Sequence, residues 1–228
     1  MGTYLHRLLM DIKTLIRDPM SGFRLLYGMR VRAGRYDLLQ KTFIKQPYYW
    51  LAERLRKGTT VIDIGANIGD TTIYLAMSPN VSRVIAYEPV PDTFNEARKN
   101  VASSPYGRKI SLANRAMSES TTTKRIDSRM IGGGASSFES LPESTDGKVV
   151  VSVTLDNVLR RLKSVAIKSS CEGAERYIFK GADLRNVYIM QIEYFHGCLY
   201  ELSGILKEKG FKVSHKGTRK TGMIYATR

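Results

Sequence analysis

The chain has 228 residues, of which 43% are hydrophobic, and it carries a formal net charge of +15. This length predicts one domain with an appendage rather than two full domains, and the apolar content is sufficient for a buried core. The apolar runs are too short for a transmembrane segment or a signal peptide, and the two cysteines, Cys171 and Cys198, are typical of a reduced intracellular protein. We therefore expect a cytoplasmic protein. The spacing of cysteine and histidine residues does not indicate a metal site.

The basic charge is concentrated at the two ends of the sequence. Residues 1–57 hold 12 Lys/Arg against 4 Asp/Glu, and residues 207–228 hold 7 against 1. The region between them is nearly neutral. Basic ends favour an anionic partner, such as a nucleic acid, a phosphorylated substrate or an anionic membrane surface, although ordinary solubility charge gives the same pattern.

Residues 1–57 are expected to form a helical extension. Apolar residues at three- and four-residue steps over residues 4–17 indicate an amphipathic helix, which either closes a homodimer or covers the substrate mouth; a membrane-surface role is the weaker interpretation. Residues 23–31 are expected to form a second short helix. A longer helical pattern over residues 36–56 contains Pro47, which should begin a new helix or kink this one.

A glycine turn follows the first strand of the main domain. The apolar, β-branched run at residues 61–64 predicts a buried parallel strand, and residues 65–69 have the sequence G-A-N-I-G. Helical spacing begins at residue 68. A strand, a glycine turn and a helix N-terminus form the entrance of a nucleotide pocket in doubly wound folds. A dinucleotide-binding site has a glycine at the position of Asn67, because the pyrophosphate of the dinucleotide occupies the space of a side chain there.

The position of Glu88 indicates which nucleotide the pocket is suited to bind. It stands at the carboxyl end of a second predicted strand, residues 83–87, where a carboxylate accepts hydrogen bonds from both hydroxyls of a ribose. S-adenosylmethionine has this ribose and no phosphates, so it is compatible with both Asn67 and Glu88. We predict it as the cofactor. The alternative is that Glu88 caps the next helix, predicted at residues 91–101.

The remaining sequence alternates strands and helices, which indicates a mostly parallel sheet with helices on both faces. Strands are predicted at residues 109–114, 148–153 (at a sheet edge), 165–168 and 186–192, helices at 154–162 and 201–209, and a closing antiparallel hairpin at 211–214 and 223–226. Thr154 is the expected N-cap of its helix. Residues 118–147 predict a loop or short hairpin, whose glycine-rich part, residues 131–137, is either a substrate lid or a plain connection.

Four segments, in this order, give the chain a specific resemblance. They are V-I-D-I-G-A-N-I-G at residues 61–69, A-Y-E-P-V-P at 86–91, T-L-D at 154–156 and E-G-A-E at 172–175. Residues 58–228 resemble the FkbM-type family of S-adenosylmethionine-dependent methyltransferases. The resemblance implies an α/β, Rossmann-like class I methyltransferase domain whose seven-stranded, mostly parallel sheet ends in an antiparallel hairpin. It also implies O-methylation of a hydroxyl on a sugar, glycan or other small-molecule acceptor.

The resemblance implies roles for individual residues as well. The residues that would hold the methionine end of the cofactor lie in and before the glycine turn: Asp63, Gly65, Ala66, Asn67 and Gly69. Glu88 would hold the ribose. Asn114 and Ala116 would lie beside the adenine, although Asn114 equally suits the capping of a turn.

Ser170 departs from the family pattern, which usually has an aspartate two residues before the first glutamate of E-G-A-E. We place Ser170 with the cofactor-binding residues. A serine, however, cannot serve as a carboxylate base or as an equally strong metal ligand. The substitution therefore bears directly on mechanism and on whether the chain is active.

Transfer of a methyl group to a hydroxyl benefits from a base within hydrogen-bond reach. Three candidates stand at the carboxyl ends of predicted strands: Glu172, Glu193 and His196. Two other classes of protein stay open. One is an RNA methyltransferase that uses the basic termini, and the other is a non-catalytic binding or scaffold descendant of the fold, which Ser170 would suit.

Overall fold

The computed structural model describes residues 23–26, 29–32, 36–45, 47–127 and 147–228. The helix expected at residues 4–17 and the glycine-rich segment at 131–137 lie outside the described residues. Within the described part of the chain, none of the helices combines the length and apolar character needed to cross a membrane.

The described part of the extension starts with a strand pair where we expected a helix. Strands β1 (Phe23–Leu26) and β2 (Met29–Arg32) run antiparallel, so the helix predicted over residues 23–31 is wrong. The sequence explains the error, because apolar and basic residues alternate over Met29–Arg32 with the period of a half-buried strand. Gly28, a poor helix former, also stands between the two runs.

Pro47 divides the rest of the extension, as predicted. Helix α1 (Tyr36–Leu39) continues as a π-helical turn over Gln40–Lys45, and helix α2 (Tyr49–Glu53) begins after the proline. The buried side chain of Gln191 ties this region to the sheet. Its Oε1 accepts a hydrogen bond from the Leu51 backbone N–H (3.2 Å), and its Nε2 donates to the Pro47 carbonyl (2.6 Å).

The strands of the main domain alternate with helices along the chain. The strands are β3 (Thr59–Ile64), β4 (Val81–Tyr87), β5 (Ile110–Ala113), β6 (Ala116–Ser118), β7 (Thr123–Asp127), β8 (Gly147–Thr154), β9 (Val165–Ser170), β10 (Val187–Tyr194), β11 (Lys212–Gly217) and β12 (Gly222–Thr227). The helices are α3 (Asp70–Ala76), α4 (Pro91–Ser103), α5 (Leu155–Leu159), α6 (Glu175–Lys180) and α7 (Leu199–Glu208). The predicted N-cap is confirmed, since the Thr154 side chain accepts a hydrogen bond from the Asn157 backbone N–H.

Seven strands form the central sheet in the order β11-β12-β10-β9-β3-β4-β5. The five strands from β10 to β5 are parallel, and β12 runs antiparallel to both β10 and β11. The predicted mostly parallel sheet with its closing antiparallel hairpin is therefore confirmed. Apolar clusters cover both faces of this sheet. The adjacent residues Val61 and Ile62 on β3 belong to different clusters, and both are fully buried.

Strand β8 lies in a second, smaller sheet. It occupies the middle of the order β6-β8-β7, parallel to β6 and antiparallel to β7. The prediction of an edge position for this strand is therefore wrong. The predicted short hairpin over residues 118–147 is present in part, since β7 pairs with the start of β8. Helix α6 is absent from the predicted elements, because its six residues contain too few apolar positions to give a periodic signal.

Strands β3 and β9 are in close contact where both end. The Cα register pairs Ile64 with Ser169, so the next residues, Gly65 and Ser170, lie side by side. Gly65 has a φ of 81°, and a Cβ placed on it would lie 2.1 Å from the Ser170 carbonyl oxygen. Only glycine satisfies both the left-handed conformation and this contact.

We expect Gly65→Ala to destabilise the fold more than the matched variant Gly58→Ala. Gly58 has the same kind of φ, 83°, but a Cβ placed on it would have no neighbouring atom within 4 Å. The Gly58 variant should lose about 1 kcal/mol, the cost of a left-handed alanine, whereas the Gly65 variant adds the clash with Ser170. The free energy of unfolding, measured with denaturant, tests this. Equal losses in the two variants would contradict the steric explanation.

Candidate active site at the carboxyl edge of the sheet

The carboxyl ends of four neighbouring parallel strands, β4, β3, β9 and β10, lie at one edge of the sheet. In α/β sheets this edge is where ligands bind. Glu88 follows β4, Gly65 follows β3, Ser170 ends β9 and Glu193 lies near the end of β10. The fold therefore brings together the residues that the sequence placed at strand ends.

The glycine turn after β3 has three residues with left-handed backbone. The φ angles are 81° at Gly65, 50° at Asn67 and 84° at Gly69. Asparagine is among the few non-glycine residues that adopt this conformation readily. The backbone N–H groups of Gly65 and Ala66 both donate to the Tyr87 carbonyl at 3.0 Å. The turn is thus held against the end of β4, beside Glu88.

Glu88 is nearly buried, with 6% of its surface exposed. One carboxylate oxygen, Oε2, accepts a hydrogen bond from the Asn67 backbone N–H at 2.8 Å, and Oε1 accepts one from the Val90 backbone N–H at 2.9 Å. Burial raises the pKa of Glu88 to about 7, although both hydrogen bonds favour the charged form. Glu88 therefore joins the glycine turn to the start of α4, where Val90 is the N-cap.

Asn114 supports the backbone around Glu88. Its Nδ2 donates to the carbonyls of Glu88 (2.9 Å) and Pro89 (3.0 Å). Ala116 is buried in a small cluster with Val90 and Val150. Both residues lie close to the loop after β4, so contact with an adenine at this position stays a prediction.

A buried ion pair lies beneath the glycine turn. Lys168 Nζ is 2.9 Å from Asp63 Oδ1, and the two side chains are 3% and 0% exposed. Asp63 Oδ2 accepts a hydrogen bond from Thr72 Oγ1 (2.6 Å), and Lys168 Nζ donates to the Gly65 carbonyl (2.8 Å). The ring of Tyr48 lies over the ammonium, 5.4 Å from its centroid. Asp63 thus orients the turn from inside the sheet.

Burial alone would lower the pKa of Lys168, but the Asp63 carboxylate outweighs it and holds that pKa above its ordinary value. The lysine therefore stays charged inside the protein. Lys168 is not among the site residues predicted from the sequence. Two features of the sequence pointed to it: a lysine within the apolar run of β9, and an aspartate within the apolar run of β3. The register pairs these two residues directly.

Glu193 accepts hydrogen bonds from three side chains. Its Oε1 lies 3.0 Å from Lys41 Nζ, and its Oε2 accepts from Ser170 Oγ (2.9 Å) and Tyr48 OH (3.3 Å). Lys41 and Tyr48 belong to the N-terminal extension. Ser170, the position where the family resemblance implies an aspartate, is therefore a hydrogen-bond donor to the carboxylate of the next strand.

The E-G-A-E segment places its two glutamates differently. Glu175 is fully buried, and its carboxylate accepts hydrogen bonds from the backbone N–H groups of Cys171 and Gly173. Glu172 is half-buried and has a left-handed φ of 54°. Burial, and then the negative charges of Glu193 and Glu175, raise the pKa of Glu172 to about 7, against the opposing effect of Lys41.

His196 follows β10 in an exposed turn and also has a φ of 54°. A Cβ placed on Gly173 would lie 3.3 Å from His196 Cδ2, so the turns after β9 and β10 are in contact. All three candidate bases therefore lie in one region. Glu172 and His196 thus both have left-handed backbone, which is uncommon for residues other than glycine, and such conformations are frequent at functional sites. Among the described residues, no group of three or more His, Cys, Asp or Glu side chains is arranged to hold a metal ion.

The sheet order, the glycine turn after β3 and the acidic residue after β4 define a Rossmann-like methyltransferase fold. Residues 63–213 match the family described as "Methyltransferase FkbM domain". Because this match covers more than half of the chain, the protein belongs to the FkbM methyltransferase family. No curated protein sequence matches the chain.

A solved structure of the same family shows this fold at low sequence identity. A methyltransferase FkbM from Methylobacillus flagellatus KT is similar over 99% of this chain and 60% of that protein, with 16% identity and a TM-score of 0.57. A precorrin-6y C5,15-methyltransferase from Geobacter metallireducens GS-15 is similar over 92% and 97%, with 15% identity and a TM-score of 0.48. The 60% coverage means that this chain spans less than two thirds of the Methylobacillus protein.

We expect Lys168→Met to destabilise the protein strongly, because it leaves the Asp63 carboxylate buried without a counter-charge. Breaking such a pair costs about 3–5 kcal/mol. Adding Asp63→Asn to the same chain should recover part of the loss, because it removes the unpaired charge. The free energy of unfolding of the single and double variants measures both effects.

The matched control for this prediction is Arg185→Met. Arg185 and Asp183 form an ion pair at 2.7 Å, but both side chains are largely exposed. Solvent screens that pair, so its loss should have a far smaller effect. A similar loss in the Lys168 and Arg185 variants would show that burial does not set the strength of the Lys168–Asp63 pair.

Proposed function

We propose that the chain is an S-adenosylmethionine-dependent O-methyltransferase whose acceptor is a hydroxyl of a sugar, glycan or other small molecule. The observation that carries this proposal is the Glu88 carboxylate, held between two backbone N–H groups at the end of β4 and beside the glycine turn. The family supports methyl transfer in general. We infer the cofactor and the acceptor atom from the contacts of the residues at this edge of the sheet.

The residues at this edge are compatible with the cofactor. Each Glu88 oxygen accepts one backbone N–H, and a carboxylate oxygen has two lone pairs, so both oxygens keep capacity for the hydroxyls of a ribose. The turn from Gly65 to Gly69, including Ala66 and Asn67, would lie along the methionine end, where its glycines let a ligand approach the backbone closely. S-adenosylmethionine, when bound, supplies a methyl group activated on a sulfonium.

Asp63 has a different role in this proposal from the one expected. Its carboxylate is fully buried and engaged by Lys168 and Thr72, so it positions the turn rather than contacting the cofactor. Ser170 likewise positions its neighbours, through its carbonyl beside Gly65 and its hydroxyl on Glu193. Asn114 and Ala116 form the wall beside the adenine.

Glu172 is the base in this proposal. The Glu193 carboxylate already accepts hydrogen bonds from three donors, one of them an ammonium, so its oxygens are engaged by the protein rather than by an acceptor hydroxyl. No donor among the described residues hydrogen-bonds to the Glu172 carboxylate, and its pKa of about 7 suits proton transfer near neutral pH. Glu172 would take the proton of the acceptor hydroxyl, while the neighbouring negative charge of Glu193 raises its affinity for that proton.

Ser170 fits this mechanism without an aspartate. The carboxylate at this place comes from Glu193 on the neighbouring strand, and Ser170 orients it. This supports an active enzyme over a scaffold descendant. The chemistry left to the protein is to align the acceptor, exclude water and remove one proton.

Calorimetric titration with S-adenosylhomocysteine tests the cofactor assignment. We expect saturable binding that weakens as the pH falls below about 7, because protonation of Glu88 removes acceptors for the ribose hydroxyls. Glu88→Gln should weaken binding at least about tenfold and abolish this pH dependence, since an amide sets one N–H group against a backbone N–H. Glu208→Gln, on the exposed end of α7, is the control and should bind normally. A wild-type protein without measurable binding would overturn the proposal in favour of a scaffold.

The pH profile of turnover tests the base. Turnover is measured as release of S-adenosylhomocysteine with a panel of monosaccharides and methyl glycosides. At saturating S-adenosylmethionine, where weaker cofactor binding through Glu88 does not limit the rate, the wild-type rate should rise with pH up to about 7 and then level off, because Glu172 acts in its deprotonated form. Glu172→Gln should lower the rate by about 100-fold or more and remove that rise.

His196→Asn serves as the comparison for the Glu172 variant, since asparagine also tolerates a φ of 54°. We expect it to keep the rise in rate with pH. If the rise instead disappears in the His196 variant and persists in the Glu172 variant, the base is His196. Cofactor affinity should stay near the wild-type value in both variants.

A further inference from the structure

The turn of the closing hairpin lies at the catalytic edge. Strand β12 is antiparallel to β10 and pairs Gly222 with Tyr194, so the β11–β12 turn lies just beyond the carboxyl end of β10. That end carries Glu193 and His196. The topology therefore requires the hairpin turn to border the proposed acceptor site.

Hydrogen bonds fix this turn to the end of β10. The Gly197 backbone N–H donates to the Lys220 carbonyl at 3.2 Å, and Tyr194 OH donates to the Thr218 carbonyl at 2.5 Å. Within the turn, the Thr218 N–H donates to the Thr221 carbonyl at 2.9 Å. The turn is thus held beside His196 by backbone contacts that do not depend on its charged side chains.

Three exposed cations stand on the turn and its flank: Lys216, Arg219 and Lys220. The only acidic residue in the last 22 residues is Glu208. In the described part of the chain, no carboxylate lies within ion-pair distance of any of the three cations. The nearby Arg176, in contrast, pairs with Glu201 at 3.8 Å. These cations are available to an external anion.

Tyr200 completes the surface. Its side chain is 65% exposed, the most of any large apolar side chain described, and the Arg219 guanidinium lies 5.9 Å from its ring centroid. A tyrosine ring offers a flat face for the C–H groups of a sugar, and a guanidinium binds a phosphate or carboxylate with two parallel hydrogen bonds. We name Tyr200, Lys216, Arg219 and Lys220 the hairpin rim.

We propose that the hairpin rim binds an anionic group of the methyl acceptor, so that the acceptor is an acidic sugar derivative that carries a phosphate or a carboxylate. This inference rests on the proposed methyltransferase function. The carboxylates of Glu172 and Glu193 lie inside the rim and repel an anion. The acidic group is therefore directed outward to Arg219, and a hydroxyl of the same molecule inward to Glu172.

The test measures binding of glucose 6-phosphate, glucuronate and glucose to the full chain, saturated with S-adenosylhomocysteine, by calorimetry or ligand-observed NMR. We expect at least one of the two acidic sugars to bind with a dissociation constant in the millimolar range or lower. Glucose should bind at least about tenfold more weakly. The two acidic probes distinguish a phosphate from a carboxylate. Inorganic phosphate alone should bind more weakly than either preferred sugar, because it lacks the ring that packs on Tyr200.

The variant Arg219→Gln/Lys220→Gln should weaken binding of the preferred acidic sugar at least about tenfold, and Arg219→Lys should retain part of it. The matched control is Lys207→Gln/Lys212→Gln, which removes two exposed charges away from the turn and should bind normally. S-adenosylhomocysteine affinity should be unchanged in every variant. That separate titration keeps failure of this inference distinct from failure of the methyltransferase proposal.

Several results would overturn the inference. If glucose bound as tightly as the acidic sugars, the anionic group would have no role in binding. If inorganic phosphate bound as tightly as glucose 6-phosphate, the hairpin rim would be a site for an ion and not for a sugar. Acidic sugars that do not bind, or that bind equally to the Arg219/Lys220 variant, would also contradict it. A single-stranded RNA that binds through Arg219 and Lys220 in place of the sugars would assign the rim to nucleic acid.

Discussion

The Lys168–Asp63 ion pair is the interaction on which the proposed site depends. A charge buried this deeply is tolerated only when it is paired and its remaining hydrogen bonds are satisfied. Lys168 therefore fixes three elements at once: Asp63 on β3, the Gly65 carbonyl in the turn and the Tyr48 ring in the extension. The shape of the glycine turn is set from within the sheet, by groups that solvent does not reach.

The N-terminal extension takes part in the same site. Residues before 63 lie outside the family match, yet Lys41 and Tyr48 both contact Glu193. They engage the oxygens of that carboxylate, whereas burial and neighbouring negative charge raise the pKa of Glu172. Two glutamates on neighbouring strand ends thus acquire different chemistry, because one has three donors and the other is partly desolvated beside like charges.

Local patterns predicted most of the elements. The β-branched run before Gly65, the helix capped by Thr154 and the closing hairpin were found because propensity and packing agree there. The segment at residues 23–31 was assigned wrongly, because a short apolar and basic pattern around Gly28 fits either a helix or a strand and only strand pairing decides it. Helix α6 was missed because one turn of apolar residues carries little periodic signal.

The sequence by itself determined the fold class, the glycine turn, Glu88 at the end of the second parallel strand and the set of candidate bases, since each follows from residue type and spacing near it. Only the tertiary structure decided their roles. Lys41 and Glu193 are 152 positions apart, and Lys168 and Gly65 are 103 apart, and both pairs meet only when the strands are ordered in the sheet. The balance of burial and nearby charges then holds the pKa of Glu172 and the pKa of Lys168 above their ordinary values, and both effects depend on neighbours distant in sequence.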